Sequence, residues 1–317
     1  SICKNNKNPD SIRFEAFDRI VWDIFRYNKS DLDSALFYAK KQLAFAKKTG
    51  DQNYIANSLL NVGVQVKDIG KKEKAKKIFQ KGLKIGKKTE NQEVKRELFN
   101  QLALIYEDRG VYSQAMDYFT EALKIDEKAN DTAGIAGMLS NMASIYQKQD
   151  YMDQALTYKK RALKMAKSGD NKRFEAKIYN NLGYYYRINQ EYEQSMQHYK
   201  ASMKIFKEIE SRYGIAYVNS NIAGVYEEKG QYSKALGLYK KSLDVFRQMG
   251  IKNKVLDMQS DIADLKLRTG KTREAIAFAE KSLKMAKASE EKTAKRYAAH
   301  ILANAYKSTG DYKQAYK

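Results

Sequence analysis

The sequence repeats with a period of 40 residues, and this repeat constrains the fold more than any other feature. Small residues recur in register at Ala35, Ala75, Ala115, Ala155, Ser195, Ala235, Ala275 and Ala315. Eight positions later, large apolar residues form a second column: Leu43, Leu83, Leu123, Leu163, Met203, Leu243 and Leu283. Residues at this spacing share one face of an α-helix. Each repeat is therefore predicted to contain a helix with an apolar face.

A second pair of columns predicts another helix in each repeat. Its large members are Trp22, Val62, Leu102, Met142, Leu182, Ile222, Ile262 and Leu302. From the second repeat onward, a small residue follows each of them directly: Gly63, Ala103, Ala143, Gly183, Ala223, Ala263 and Ala303. A small residue beside a large one lets two helices approach closely. Each unit is thus expected to be a hairpin of two helices of about 16 residues, about 25 Å long.

Turn and capping residues mark the limits of these helices. Gly70, Gly110, Gly230, Gly270 and Gly310 stand between the two helices of their units, with Ser30, Asp150 and Gln190 in the other three. Six units open on residues that can cap a helix, Ser11, Asp51, Asn91, Asp131, Asn171 and Ser211, whereas Ile251 and Glu291 depart from this rule. The predicted fold is an all-α superhelical solenoid of about eight helical hairpins. Residues 1–10 form an extension, followed by repeats 11–50, 51–90, 91–130, 131–170, 171–210, 211–250, 251–290 and the partial repeat 291–317.

Composition and motifs argue against catalytic and metal sites. The single cysteine, Cys3, cannot form an internal disulfide, and two histidines, His198 and His300, are too few for the usual zinc sites. No nucleotide-binding, metalloprotease or nucleophile-elbow motif is found. No apolar run is long enough to span a bilayer. We therefore expect no catalytic residue, no cofactor, no bound metal and no membrane span in this segment.

The columns resemble those of the tetratricopeptide repeat (TPR) family. In residues 98–123, the Leu102-Ala103-x-x-Tyr106 run, Gly110, Tyr112, Ala115, Phe119 and Ala122 fall at that family's spacing. The repeat is 40 rather than 34 residues long and lacks the usual closing proline, as in kinesin light chains, the Pins-type adaptor and Rap-type receptors. The stretch 31–51 is most similar to the TPR sensor regions of bacterial histidine kinases and LuxR-type regulators. This resemblance implies a protein or peptide partner and a sensory or regulatory role in a larger bacterial signalling protein, with an exported, periplasmic location favoured over the cytoplasm.

A ladder of polar residues precedes the large apolar column by one position: Asn61, Gln101, Asn141, Asn181, Asn221 and Asp261. In similar TPR proteins the first helices line the concave face, and an asparagine at this point grips the main chain of an extended peptide. A carboxamide both donates and accepts hydrogen bonds, so it matches a peptide unit. Neighbouring positions on the same helices are expected to supply specificity: Ser144, Tyr184, Arg187, Gly224 and Glu227. Alternatively, these amides bond neighbouring helices or water.

Two other functions compete with peptide binding. The chain could be a structural scaffold with an unoccupied groove, including a homodimer formed through one solenoid end. The 59 basic against 38 acidic residues give a net charge of +21, which could attract nucleic acid. The lysine-rich segment 71–88 is the best candidate for that role, but its apolar residues match core columns and leave the lysines on a solvated face. Nucleic-acid binding is therefore the least favoured function.

Overall fold

The computed structural model describes residues 8–27, 32–288 and 292–315, with the backbone alone at 23–27, 288 and 292–294. All regular elements in these ranges are α-helices, which confirms the all-α prediction. The predicted extension 1–10 is described only from Asn8 onward, and Ser30 and Glu291 lie outside the described residues. The helices are α1 Asp10–Tyr27, α2 Leu32–Thr49, α3 Gln52–Asp68, α4 Lys72–Gly86, α5 Gln92–Asp108, α6 Tyr112–Ala129, α7 Thr132–Lys148, α8 Met152–Ser168, α9 Lys172–Ile188, α10 Tyr192–Glu208, α11 Arg212–Glu228, α12 Tyr232–Gln248, α13 Lys252–Arg268, α14 Thr272–Ala288, α15 Lys292–Ser308 and α16 Tyr312–Ala315.

The helices fall into two compact units. The first unit, Ser1–Asp170, contains α1 to α8, and the second unit, Asn171–Lys317, contains α9 to α16. Within each unit the two helices of a hairpin pack on each other, and successive hairpins stack. Each unit is therefore a short solenoid of helical hairpins.

Side-chain caps start most of the first helices, as the sequence predicts. The Asp51 carboxylate accepts hydrogen bonds from the backbone N–H of Asn53 (2.7 Å) and Tyr54 (3.0 Å). The same role is played by Asn91, Asp131, Asn171 and Ser211. Ile251 makes no side-chain cap, in agreement with its departure from the pattern. The prediction for Ser11 is wrong, because α1 already begins at Asp10.

Left-handed residues end the first helices at the predicted turns. Gly70, Gly110, Gly230, Gly270 and Gly310 all have φ between 71° and 85°. Asp150 and Gln190 take the same conformation without being glycine. A second set of left-handed residues stands between repeats, and the sequence analysis missed it: Gly50, Asn130, Glu210 and Gly250.

Glycine allows the two helices of some hairpins to touch. A Cβ atom at Gly63 would lie 2.3 Å from the ring of Phe79, and one at Gly183 would lie 2.5 Å from the ring of Tyr199. Both rings are fully buried. Phe79 and Tyr199 occupy equivalent positions of the repeat. In the fourth hairpin the equivalent residue is Lys159, which is also buried. Burial lowers the pKa of Lys159 to about 8.

Candidate functional site

A cavity of about 390 Å³ opens in the second unit, among the first helices of successive hairpins. Helices α9, α11, α13 and α15 supply most of its wall, and α12 adds one tyrosine. The lining residues are Arg187, Tyr217, Ser220, Asn221, Tyr239, Asn253, Lys254, Leu256, Asp257, Met258, Ser260, Asp261 and Tyr297. The volume lies within the range of pockets that bind small ligands or side chains.

Asn221 presents a half-buried amide to this cavity. Its amide nitrogen donates to the side-chain oxygen of Asn180 on the preceding first helix, at 2.8 Å. Within the described part of the chain, no hydrogen bond is made to its side-chain oxygen. Asn181, at the same place in the preceding repeat, is also half-buried. The cavity is therefore lined by one amide, Asn221, to whose oxygen the described part of the chain makes no hydrogen bond.

Arg187 lies directly over Gly224. A Cβ atom at Gly224 would be 1.8 Å from a terminal nitrogen of the guanidinium, so only glycine leaves room for this placement. The guanidinium also lies 5.2 Å from the ring centroid of Tyr184 and 3.7 Å from the Glu228 carboxylate. Its Nε atom is buried and has no hydrogen-bond partner in the described part of the chain. Buried polar atoms of this kind often indicate a ligand or water.

Several carboxylates line the cavity or lie near its lining residues. Asp257 pairs with Lys254 at 2.8 Å, and Asp264 pairs with Arg268 at 2.7 Å. The Glu227 carboxylate accepts a hydrogen bond from the Tyr239 hydroxyl at 2.9 Å and lies 3.8 Å from Arg268. Asp261 differs from these residues, because nothing in the described ranges forms an ion pair or hydrogen bond with it.

The pKa values of these groups reflect burial and repulsion between like charges. Burial, followed by the fields of Asp257 and Glu227, raises the pKa of Asp261 to about 7, although Arg187 opposes the rise. Burial also raises the pKa of Glu227. Tyr297 is raised to a pKa of about 12 by burial and by Asp264 and Asp261. Burial and then Asp261 raise the pKa of Tyr239. The charge of Asp261 therefore acts on both tyrosine hydroxyls.

The predicted site residues of the first unit have different surroundings. Asn61 is 2% exposed, and its amide donates to Asp18 (2.8 Å) and Gln42 (2.9 Å), so both donors are used inside the protein. Gln101 is buried and bonds Lys67 and Glu97.

Two further predicted residues of the first unit are half-buried. The amide nitrogen of Asn141 lies 3.4 Å from the side-chain oxygen of Asn100. The Ser144 hydroxyl donates to the backbone carbonyl of Ser140. These four residues do not line the cavity of the second unit.

Of the eleven predicted residues, three line the cavity, Arg187, Asn221 and Asp261. Gly224 and Tyr184 contact Arg187, and Glu227 bonds the lining residue Tyr239. The sequence analysis missed the wall formed by Tyr217, Asp257 and Tyr297. These three residues occupy one column of the repeat, four positions before Asn221, Asp261 and Ile301 respectively, and residues four apart share a helix face. The repeat of this column was therefore the sequence pattern by which these wall residues could have been predicted.

Neither a candidate metal site nor a candidate membrane span is found among the described residues. No group of three or more histidine, cysteine, aspartate or glutamate side chains in these ranges is arranged to hold a metal ion. None of the helices described combines the length and apolarity of a membrane span.

Sequence comparison identifies the family. A tetratricopeptide repeat model matches residues 134–208, 174–248 and 214–288, and a second model of the same description matches residues 97–128. Together these matches cover more than half of the chain. The chain belongs to the tetratricopeptide repeat family. A comparison with curated proteins finds no significant match.

Solved structures share the TPR solenoid fold. A Rap protein complexed with competence and sporulation factor is 13% identical, with a TM-score of 0.63 over 97% of this chain and 95% of that one. A signal transduction ATPase with a tetratricopeptide repeat sensor from Pyrococcus horikoshii is 19% identical, with a TM-score of 0.58 over 96% of this chain and 51% of that protein. Aspartyl phosphate phosphatase F from Bacillus subtilis is 13% identical, with a TM-score of 0.57 over 96% of this chain and 91% of its own. At these identities the likeness shows the fold alone, and the phosphatase shows that the fold by itself does not decide between catalytic and binding proteins.

Proposed function

We propose that this TPR protein is a non-catalytic binding module that takes an extended peptide segment of a partner into the cavity of its second unit. The observation that carries the proposal is the half-buried amide of Asn221, which lines the cavity, together with a second half-buried amide, Asn181, at the equivalent position of the preceding first helix. Because a carboxamide offers both a donor and an acceptor, such a pair suits the repeating N–H and C=O groups of an extended main chain.

The contacts around Asn221 support this use of its amide. Its nitrogen is held by Asn180, which fixes the orientation of the side chain and leaves the oxygen available to a peptide N–H. A preorganised polar group loses less conformational entropy on binding than a freely rotating one. The proposed site includes neither Asn61 nor Gln101, since hydrogen bonds within the first unit already engage those amides.

Residues next to the amides would select the bound side chains. Tyr184 is 43% exposed and supports Arg187, which offers a charged group to the ligand. The cavity wall adds three tyrosines, Tyr217, Tyr239 and Tyr297. Aromatic and arginine side chains commonly dominate the binding energy of protein interfaces.

The wider role that we propose is the sensory or regulatory part of a larger bacterial signalling protein. Two proteins with a similar fold support this inference: the Rap protein complexed with a sporulation factor, and the ATPase whose tetratricopeptide repeats form a sensor. Binding would act by favouring one arrangement of the stacked hairpins over another.

Selection from a phage-displayed library of random dodecapeptides tests the proposal. We expect enriched peptides to bind the wild-type chain and to lose about tenfold or more in affinity when Asn181 and Asn221 are both changed to alanine, because each side-chain hydrogen bond contributes about 0.5–1.5 kcal/mol. Asn141→Ala is the matched control, since it removes the same group at the same repeat position in the first unit. Absence of enrichment, or full affinity of a folded double variant, would reject the site.

A further inference from the structure

Asp261 is the one ladder position in the second unit at which an acid replaces the amide found at Asn181 and Asn221. Its carboxylate lines the cavity, and no hydrogen bond or ion pair within the described ranges neutralises it. The neighbouring acids Asp257 and Asp264 each have a basic partner within 3 Å. The charge of Asp261 is therefore left for a group that the protein itself does not supply.

The cations nearest to Asp261 do not balance the acids around it. Among the described residues, the acids here are five, Asp257, Asp261, Asp264, Glu227 and Glu228, whereas the cations that pair with or act on them are three, Arg187, Lys254 and Arg268. This local excess of negative charge occurs in a chain whose net charge is +21. A charge distribution that opposes the overall charge in one cavity favours a cationic ligand there.

The aromatic wall favours the same class of ligand. The Nζ atom of Lys254 already lies 5.3 Å from the ring centroid of Tyr217, so an ammonium group is accepted against this wall. Tyr239 and Tyr297 also line the cavity, and Asp261 acts on both of their hydroxyls. Aromatic faces attract ammonium and guanidinium groups, and more strongly when water is excluded.

We propose that the cavity is a subsite for one basic side chain, an ammonium or guanidinium group of the bound segment, with Asp261 as its counter-ion and Tyr239 and Tyr297 as its aromatic walls. This inference rests on the proposed function, because the same site would hold the peptide main chain through Asn181 and Asn221. It specifies that a bound segment carries a lysine or arginine side chain at the position that enters the cavity.

Two small probes test the subsite without knowledge of the natural ligand. The peptide amides Ac-Gly-Gly-Arg-Gly-Gly-NH2 and its norleucine analogue differ in charge at one side chain, and saturation-transfer NMR measures the binding of each to the full chain. We expect the arginine probe to bind at least tenfold more tightly than the norleucine probe, as for one charge-assisted hydrogen bond. Equal binding of the two probes to the wild-type chain would overturn the proposal.

Variants assign this preference to Asp261. Asp261→Asn should abolish it, and the fold should tolerate the change because asparagine occupies the same ladder position at Asn181 and Asn221. Asp261→Glu should restore most of it. Asp244→Asn removes one negative charge from an exposed pair with Arg247 elsewhere in the second unit, and it should leave the preference unchanged. An Asp261→Asn variant that is folded by circular dichroism and retains the preference would also overturn the proposal.

The pH profile gives an independent readout. Binding of the arginine probe should strengthen between pH 5.5 and 8.5, because the carboxylate must be ionised and the pKa of Asp261 is about 7. The profile should be flat in Asp261→Asn, and a pH dependence that persists there would count against Asp261. The other charged and titratable groups around Asp261 are Arg187, Glu227, Tyr239, Lys254, Asp257, Asp264, Arg268 and Tyr297, and all of them are present in both proteins, so the difference between the two profiles measures Asp261.

Panning the dodecapeptide library separates this inference from the proposed function. If panning on the wild type enriches peptides with a fixed lysine or arginine, and panning on the Asp261→Asn variant enriches peptides without that basic position, both the peptide-binding function and the cation subsite are supported. Enrichment without a basic position leaves peptide binding intact and overturns the cation subsite. Failure of enrichment together with a clear arginine preference of the small probes rejects the proposed peptide-binding function and supports the subsite alone.

Discussion

Three helical glycines of the second unit provide a graded test of how closely its helices pack. A Cβ atom at Gly183 would lie 2.5 Å from the ring of Tyr199, one at Gly224 would lie 1.8 Å from the end of Arg187, and one at Gly237 would meet nothing within 4 Å. Gly→Ala in a helix interior raises stability by about 0.5–1 kcal/mol when space is available. Gly237→Ala should show this gain in full.

The other two substitutions should differ because their obstacles differ. The Tyr199 ring is fully buried and cannot move aside, so overpacking of about 1–3 kcal/mol should outweigh the helix gain and make Gly183→Ala destabilising by about 1–2 kcal/mol. The Arg187 guanidinium is the end of a flexible side chain, so it can swing away. Gly224→Ala should stay within about 1 kcal/mol of the wild type while displacing Arg187 from the cavity, and it should weaken a selected peptide more than Gly237→Ala does.

Denaturant and thermal unfolding, followed by far-UV circular dichroism, measure the stability order. A change of 1 kcal/mol corresponds to a Tm shift of roughly 2–4 °C for a domain of this size class. The predicted order, from most to least stable, is Gly237→Ala, Gly224→Ala and Gly183→Ala. If Gly183→Ala proved as stable as Gly237→Ala, the close contact between α9 and α10 at Tyr199 would be refuted.

Three further predictions concern single charges and caps. Lys159→Met should raise stability at pH 7 by about 1–3 kcal/mol, because it removes a buried charge. The pKa of Lys159 is about 8 in the folded protein and ordinarily 10.5, so pH-dependent unfolding should show a gain of stability between pH 8 and 10.5 in the wild type and none in the variant. The wild type should lose stability as the pH rises from about 4 to 7, because the pKa of Asp261 is about 7 in the folded protein and ordinarily 3.8. Asp261→Asn should not show this loss, and in urea unfolding at pH 8 it should be more stable than the wild type by about 1–2 kcal/mol. Asp51→Ala should lower stability by about 1 kcal/mol through loss of its helix cap, whereas Lys71→Ala, at an N-cap without a side-chain bond, should not change the same unfolding curve. A curve identical to that of the wild type for Lys159→Met, Asp261→Asn or Asp51→Ala, or a shifted curve for Lys71→Ala, would contradict the corresponding prediction.

The fold was predictable from the sequence because its determinants are local and repeated. The alanine column of the second helices is buried at Ala35, Ala75 and Ala115, as its spacing requires. The turn glycines and the capping residues act within one or two helical turns, so a single sequence contains the needed information.

Whether a ladder amide is hydrogen-bonded within the protein was less predictable, because this depends on partners that lie far away in the chain. Asn61 is engaged by Asp18 and Gln42, which lie 43 and 19 residues away, and no repeat column contains that arrangement. In the second unit the same column leaves Asn221 at the edge of a cavity. The difference arises from the side chains that the preceding helices place next to each amide, so equivalent positions in the repeat have unequal surroundings.

Photo-crosslinking tests the central claim most directly. A selected dodecapeptide with a benzophenone group at its central residue would be irradiated in complex with the full chain, and the attached residues would be mapped by mass spectrometry. Peptide binding in the cavity of the second unit predicts attachment to α9, α11, α13 and α15, and loss of attachment in the Asn181→Ala/Asn221→Ala variant. Attachment confined to the second helices of the hairpins, α10, α12 and α14, would contradict it.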